Sequence, residues 1–140
     1  MQDALLSIEN QLKDSNWTPD LILGINRGGC VPGVYLSHKL NIPHEVIDIR
    51  LRDHMAPPNL QGLNEALSKK VNILIIDDIN DSGATFNYII THFGELPEAI
   101  RFAALITNQK SAVTVDYHGP LIDKEINPEW IVFPWEGWFD

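Results

Sequence analysis

Few folds accommodate the run from Val71 to Thr85, VNILIIDDINDSGAT, in a chain of 140 residues. Ile73 to Ile76 are apolar and mostly β-branched, and they end abruptly in Asp77 and Asp78. A third carboxylate, Asp81, follows, and then the small-residue turn Ser82-Gly83-Ala84-Thr85. The pattern predicts a buried strand that delivers acidic groups to a loop opening onto a helix. Open α/β sheets place ligands at such strand ends. Three carboxylates within five residues repel one another unless a cation or sugar hydroxyls lie between them, so this stretch is the expected active centre.

The balance of residues narrows the class. With 44% hydrophobic residues the chain can bury a core without staples, and residues 1–140 are expected to form one domain. Cys30 is the sole cysteine and can form no internal disulfide. Neither a leader nor a run long enough for a bilayer is present, so a cytoplasmic protein without membrane insertion is expected. A net charge of −9 and a pI near 4.8 argue against a nucleic-acid partner, which calls for a basic stripe. An anionic ligand has to be met locally, by a metal ion, backbone N–H groups and the few arginines.

Ala4, Leu5, Ile8 and Leu12 lie on one helical face over about Asp3 to Lys13, with Asp3 as the expected cap. Leu21 to Ile25 is a short apolar strand. It runs into Asn26-Arg27-Gly28-Gly29-Cys30-Val31-Pro32-Gly33, where Pro32 suits the first turn of a helix reaching about Leu40. A Gly-Gly turn is usually a tight connection. Arg27 beside it strengthens an anion-binding reading, because a guanidinium matches paired phosphate oxygens. Cys30 reads as a small packing residue, with no histidine near it in sequence.

A strand is expected from His44 to Ile49. The stretch from Arg50 to about Leu60, with Arg52 and Pro57-Pro58, is long for a compact domain and is either an ordinary surface loop or a lid over the acidic centre. His38, His44, His54, His92 and His118 show no metal-ligand spacing. After Asp81, residues 82–85 lead into a helix carrying Phe86, Tyr88, Ile89, Ile90 and Phe93. The N–H groups at its start suit one phosphate group. Ile100 to Thr107 is the next strand, and Val113 to Tyr117 a short one. The tail from Trp130 to Phe139 holds three of the four tryptophans, which reads as core or oligomer contact, or as a platform for a planar ligand.

These pieces resemble a family. Ile73 to Asp81 with Ser82-Gly83-Ala84-Thr85 is similar to the signature of type I phosphoribosyltransferases. Leu23 to Gly33 resembles the pyrophosphate-binding turn of the purine-salvage branch. Trp130-Ile131-Val132-Phe133-Pro134-Trp135-Glu136 resembles the base-binding tail of its small bacterial xanthine-guanine and hypoxanthine members. The resemblance implies an α/β fold with a mostly parallel central sheet flanked by helices, a mobile loop at about 51–62, and a small C-terminal hood, mainly 108–140.

It also implies a Mg²⁺-dependent reaction in which phosphoribosyl pyrophosphate gives its 5-phosphoribosyl group to a 6-oxopurine and releases pyrophosphate. Asp77 and Asp78 would bind the ribose hydroxyls and the metal. Asp81 would act as general base. Asp81, Ser82, Gly83, Ala84 and Thr85 would hold the 5-phosphate, and Asn26, Arg27 and Gly28 the pyrophosphate, in a turn that in the family often carries a non-proline cis peptide. Asn108, Lys110, Trp130 and Ile131 would meet the base, and Glu136 would be a weaker metal ligand. A homodimer or homotetramer is the family's usual assembly.

The chain departs from the family in two places. A lysine usually follows the strand ending at Thr107, and here that position is Asn108, with Lys110 two residues on. The mobile loop usually has a Ser-Tyr pair, and here it has Leu51-Arg52. Another base, or a regulator that binds phosphoribosyl pyrophosphate without turnover, therefore stays open. A phosphoacceptor receiver domain also gathers aspartates at strand ends, but it has no need of Arg27-Gly28-Gly29 or the turn at Ser82 to Thr85.

Overall fold

A run that is apolar at every position, such as Ile73 to Ile76, is stable only with both faces of its strand covered, and the architecture supplies both covers. The computed structural model of the chain describes residues 1–49, 51, 57–128 and 131–136. Along these, the order is α1 (Gln2–Asp14), β1 (Leu21–Asn26), α2 (Cys30–Leu40), β2 (His44–Asp48), α3 (Gln61–Ser68), β3 (Ile73–Asn80), α4 (Ala84–Phe93), β4 (Ile100–Asn108), β5 (Tyr117–His118) and β6 (Leu121–Ile122). The sheet runs β2-β1-β3-β4-β5, with β6 also on β4, and every ladder is parallel.

Side chains alternate across the sheet and build two apolar layers. Ile73 and Ile75 join Leu63, Ala66, Phe86 and Ile89 from α3 and α4 on one face. Leu74 and Ile76 join Ala4, Ile8, Leu12 and Leu36 from α1 and α2 on the other. All four isoleucine and leucine side chains of residues 73–76 are fully buried. At about 1.5–3 kcal/mol for each such side chain, they anchor the centre of the sheet.

The chain passes from β1 outward to β2, then back across to β3. Between β1 and β3 the winding reverses, and a crevice opens beyond their carboxyl ends. Asn26 closes β1 and Asn80 closes β3, so both loops singled out in the sequence border that crevice.

Several boundaries differ from the sequence expectation. The first helix starts at Gln2 with Met1 as its N-cap, so Asp3 stands in the first turn, where its charge meets the helix dipole without capping it. β3 continues past the acidic pair to Asn80, because its ladder with β4 extends to Asn80 and Thr107. α3 was not anticipated; Leu63, Ala66 and Leu67 lie at helical spacing and pack on the core, but the helix is only eight residues long. Of the strand expected over Val113 to Tyr117, only Tyr117 pairs as a strand. Val113 and Val115 fill the core instead, and the Asp116 carboxylate accepts the Phe102 N–H at 2.8 Å.

Of the long connection after β2, Arg50 and residues 52–56 lie outside the described residues. Leu51 packs against the core, and Leu60 is buried. The Asn59 N–H donates to the Asp48 carbonyl at 2.8 Å, tying the far end of the connection back to β2.

Candidate active site

A cleft of about 830 Å³ opens at the carboxyl ends of β1 and β3. Its walls include Asn26, Arg27, Gly28, Asp77, Asp78, Asp81, Ser82, Gly83, Ala84, Thr85, Ile131 and Glu136. This volume suits a sugar phosphate together with a ring.

The floor is acidic. Burial pushes the Asp77 carboxyl well above the usual carboxylate range, and the neighbouring Asp78 charge adds to the effect. Asp78 is raised for the same first reason, with Glu136 contributing, although bonds from neighbouring N–H groups oppose it. Asp77 Oδ1 accepts the Asp78 N–H at 2.9 Å, and Asp78 Oδ1 accepts the Ile79 N–H at 2.8 Å. Two carboxyls held this way gain from any cation or hydroxyl donor brought between them.

The turn after β1 closes one side. The Asn26–Arg27 peptide is cis. Asn26 Nδ2 donates to Asp48 Oδ1 at 2.7 Å, and its Oδ1 receives the Cys30 thiol at 3.5 Å. Burial raises the Cys30 thiol above its usual range, with the Asp48 and Asp77 charges adding, which suits a packing role over a thiolate. Gly28 lies against Asp78, and a Cβ there would strike its carboxylate. Arg27 is exposed and faces the cleft.

The start of α4 closes the other side. Gly83 adopts φ +88°, and a Cβ there would meet Ser111 Oγ at 2.7 Å as well. Ser82 Oγ accepts the Ala84 N–H at 3.2 Å. Buried Asn80 braces the turn from beneath, donating to the Val113 carbonyl at 2.8 Å and accepting from Ser111 Oγ at 2.8 Å. The N–H groups of a first helical turn have no partner within the helix, so this terminus suits an anion.

Asp81 stands between the acidic floor and the C-terminal segment. Asn108 Nδ2 donates to its Oδ1 at 3.2 Å, and Lys124 Nζ lies 2.7 Å from its Oδ2. The base-side expectations separate here. Asn108 reaches Asp81, and its own Oδ1 accepts the Lys110 N–H at 3.2 Å. Lys110 is exposed and does not line the cleft, Ile131 does line it, and Trp130 lies outside the described residues. Phe133 is buried and stacks on Trp135 at 4.9 Å, so this part of the aromatic tail is both core and cleft wall.

Lys124, Asn80 and Asp48 belong to the site's surroundings and were not singled out from the sequence. Asn80 and Asp48 close strands whose ends alone could have flagged them. Lys124 is placed by β6, a two-residue strand with no pattern to read.

The sequence matches the phosphoribosyl transferase domain over residues 2–137. The chain belongs to the phosphoribosyltransferase family. A xanthine-guanine phosphoribosyltransferase of Cereibacter sphaeroides is 31% identical over 121 residues, covering 82% of this chain and 68% of that protein. A purine phosphoribosyltransferase of Pyrococcus horikoshii superposes with a TM-score of 0.68 at 27% identity, over 96% of this chain and 87% of that one. The xanthine-guanine-hypoxanthine phosphoribosyltransferase of Helicobacter pylori shares the fold, with a TM-score of 0.68 at 20% identity over 95% and 86%. The expected transferase class and the type I phosphoribosyltransferase fold therefore stand. Among the described residues no helix is long and apolar enough to cross a membrane.

Proposed function

We propose that this phosphoribosyltransferase moves the 5-phosphoribosyl group of phosphoribosyl pyrophosphate onto a 6-oxopurine, hypoxanthine, guanine or xanthine, with Mg²⁺, releasing pyrophosphate and the nucleoside monophosphate. The observation that carries this reading is the convergence on one cleft of the Arg27 turn, the Asp77–Asp78 pair, Asp81 and the N-terminus of α4. The substrate names of the relatives from Cereibacter and Pyrococcus support a purine as acceptor.

The residues present fit Mg²⁺. Among the described residues no three His, Cys, Asp or Glu groups converge as a ligand set. Mg²⁺ needs no such cage, because it is usually held by one or two carboxylates together with substrate phosphates and water. Asp77 and Asp78, both raised first by burial, would hold it, with Glu136 as a weaker third ligand. Once bound, the ion supplies charge neutralisation at the pyrophosphate.

In this reading the N–H groups of residues 82–85 grip the 5-phosphate, and Asn26, Arg27 and Gly28 orient the pyrophosphate. As the anomeric C–O bond to pyrophosphate breaks, positive charge builds on the sugar, and the carboxylates at 77 and 78 stabilise it. The purine N9 forms the new bond, and Asp81 accepts the N7 proton. The 51–62 connection would exclude water during this step. We also propose a homo-oligomer, dimer or tetramer; exposed Tyr35 on α2 and Val46 on the edge strand β2 offer apolar contact area.

Incubating the protein with phosphoribosyl pyrophosphate, Mg²⁺ and a panel of purines and pyrimidines tests the assignment. Nucleotide formation with 6-oxopurines is the expected result. Turnover only with another base refutes the acceptor, and sugar-phosphate binding without turnover on any base points to a regulator.

A further inference from the structure

Lys124 stands in the cleft beside Asp81 and takes no part in the chemistry above. We infer that Lys124, not a residue at the end of β4, is the cation that selects a 6-oxo over a 6-amino purine. The inference rests on the purine phosphoribosyltransferase reading and names the residue that sets its acceptor.

Both side chains of the pair are largely shielded, with 21% and 27% exposure for Lys124 and Asp81. Among the described residues, the end of β4 offers the cleft no cation. The Asn108 amide gives a hydrogen to Asp81 and its oxygen takes one from Lys110, whose own side chain is exposed. Parallel pairing then does what β4 does not. Ile122 lies opposite Asn108, and the Gln109 N–H donates to the Ile122 carbonyl at 2.8 Å. The chain beyond β6 therefore heads toward the same end of the sheet as the chain beyond Asn108. A turn follows, in which Asp123 Oδ1 accepts the Glu125 N–H at 3.0 Å and the Asp123 carbonyl accepts the Asn127 N–H at 2.9 Å. That turn presents Lys124 to the cleft.

The chemistry of the acceptor matches this pair. N7 and the 6-substituent of a purine share one edge of the ring. A base whose N7–H meets Asp81 brings its 6-substituent to the neighbouring group, which is Lys124. An ammonium only donates, so it binds a 6-oxo oxygen and repels the N–H bonds of a 6-amino group. During transfer the N9–C1′ bond forms, the C1′–O bond to pyrophosphate breaks and the N7 proton passes to Asp81, while Lys124 keeps its protons. As the carboxylate loses its charge, its hold on the ammonium weakens and the bond from the ammonium to the carbonyl oxygen strengthens.

The test compares kcat/KM for hypoxanthine and adenine in the wild type, Lys124→Met, and Lys124→Met with Asn108→Lys, alongside the calorimetric Kd for phosphoribosyl pyrophosphate. Lys124→Met is expected to lose about tenfold to a hundredfold on hypoxanthine, the loss of one charged hydrogen bond. Adenine and the sugar-phosphate Kd are expected to change far less, and Asn108→Lys to restore part of the preference. An equal loss on both bases, or an unchanged preference, overturns the inference while leaving the proposed reaction intact. Absence of 6-oxopurine turnover in the wild type overturns both. Should Lys124→Met fail to bind the sugar phosphate, Lys124→Leu is measured in the same way, and a second failure to bind assigns Lys124 to the fold and overturns the inference.

Discussion

Gly28 lacks a side chain because Asp78 occupies the space one would need. Gly28→Ala is therefore expected to push the Asn26–Arg27 turn away from the acidic floor, at about 1–3 kcal/mol. Calorimetry should show weaker sugar-phosphate binding in that variant, and unchanged binding would mean the turn does not hold pyrophosphate. Asp81→Asn removes the proposed proton acceptor and keeps the shape. Turnover should fall about 10²- to 10⁴-fold, with the Kd for phosphoribosyl pyrophosphate nearly unchanged. Asp77 makes the opposite kind of prediction. Its folded-state affinity for a proton is raised above that of the unfolded chain, so its favourable contribution is present at low pH and is lost as pH rises through the raised value. Asp77→Asn should raise the melting temperature of the ligand-free protein near neutral pH while abolishing activity. A melting temperature that drops instead would show that the buried carboxylate is already compensated.

β3 carries this site because its apolar half is locked between two helical layers while its polar half projects into the crevice. Truncating Ile75, fully buried in the layer beneath α3 and α4, should cost about 2–5 kcal/mol in denaturant unfolding. A loss below 1 kcal/mol would mean that the layer collapses around the gap. At this scale the sequence was informative wherever burial left a pattern. β1, β3 and β4 were legible because both of their faces are covered, and the turns at Asn26 to Gly28 and Ser82 to Thr85 because glycine and small residues mark places where backbone approaches a ligand or a neighbour. α3 escaped notice because its helical spacing of Leu63, Ala66 and Leu67 lasts only eight residues beside a long connection. β5 and β6 escaped because two-residue strands are defined by their partner on β4 and not by their own side chains. Lys124 went with them, while the base contacts were expected at Asn108 and Lys110, where the family resemblance placed them.

Taken whole, a molecule of net charge −9 would handle the anionic sugar phosphate of the proposed reaction by confining attraction to one crevice. The reversal of winding between β1 and β3 brings the arginine turn beside an acidic floor and a helix N-terminus that follow about fifty residues later in the chain. In the proposed reaction the carboxylates that repel an anion from outside would become binding groups through Mg²⁺, so binding of the sugar phosphate should depend on the metal. The most direct test is the rate of pyrophosphate release from phosphoribosyl pyrophosphate, with and without hypoxanthine and with and without Mg²⁺. The account predicts rapid release only when both are present, with one inosine monophosphate formed per pyrophosphate. Release at the same rate without a base, or none with every base despite tight binding of the sugar phosphate, would contradict it.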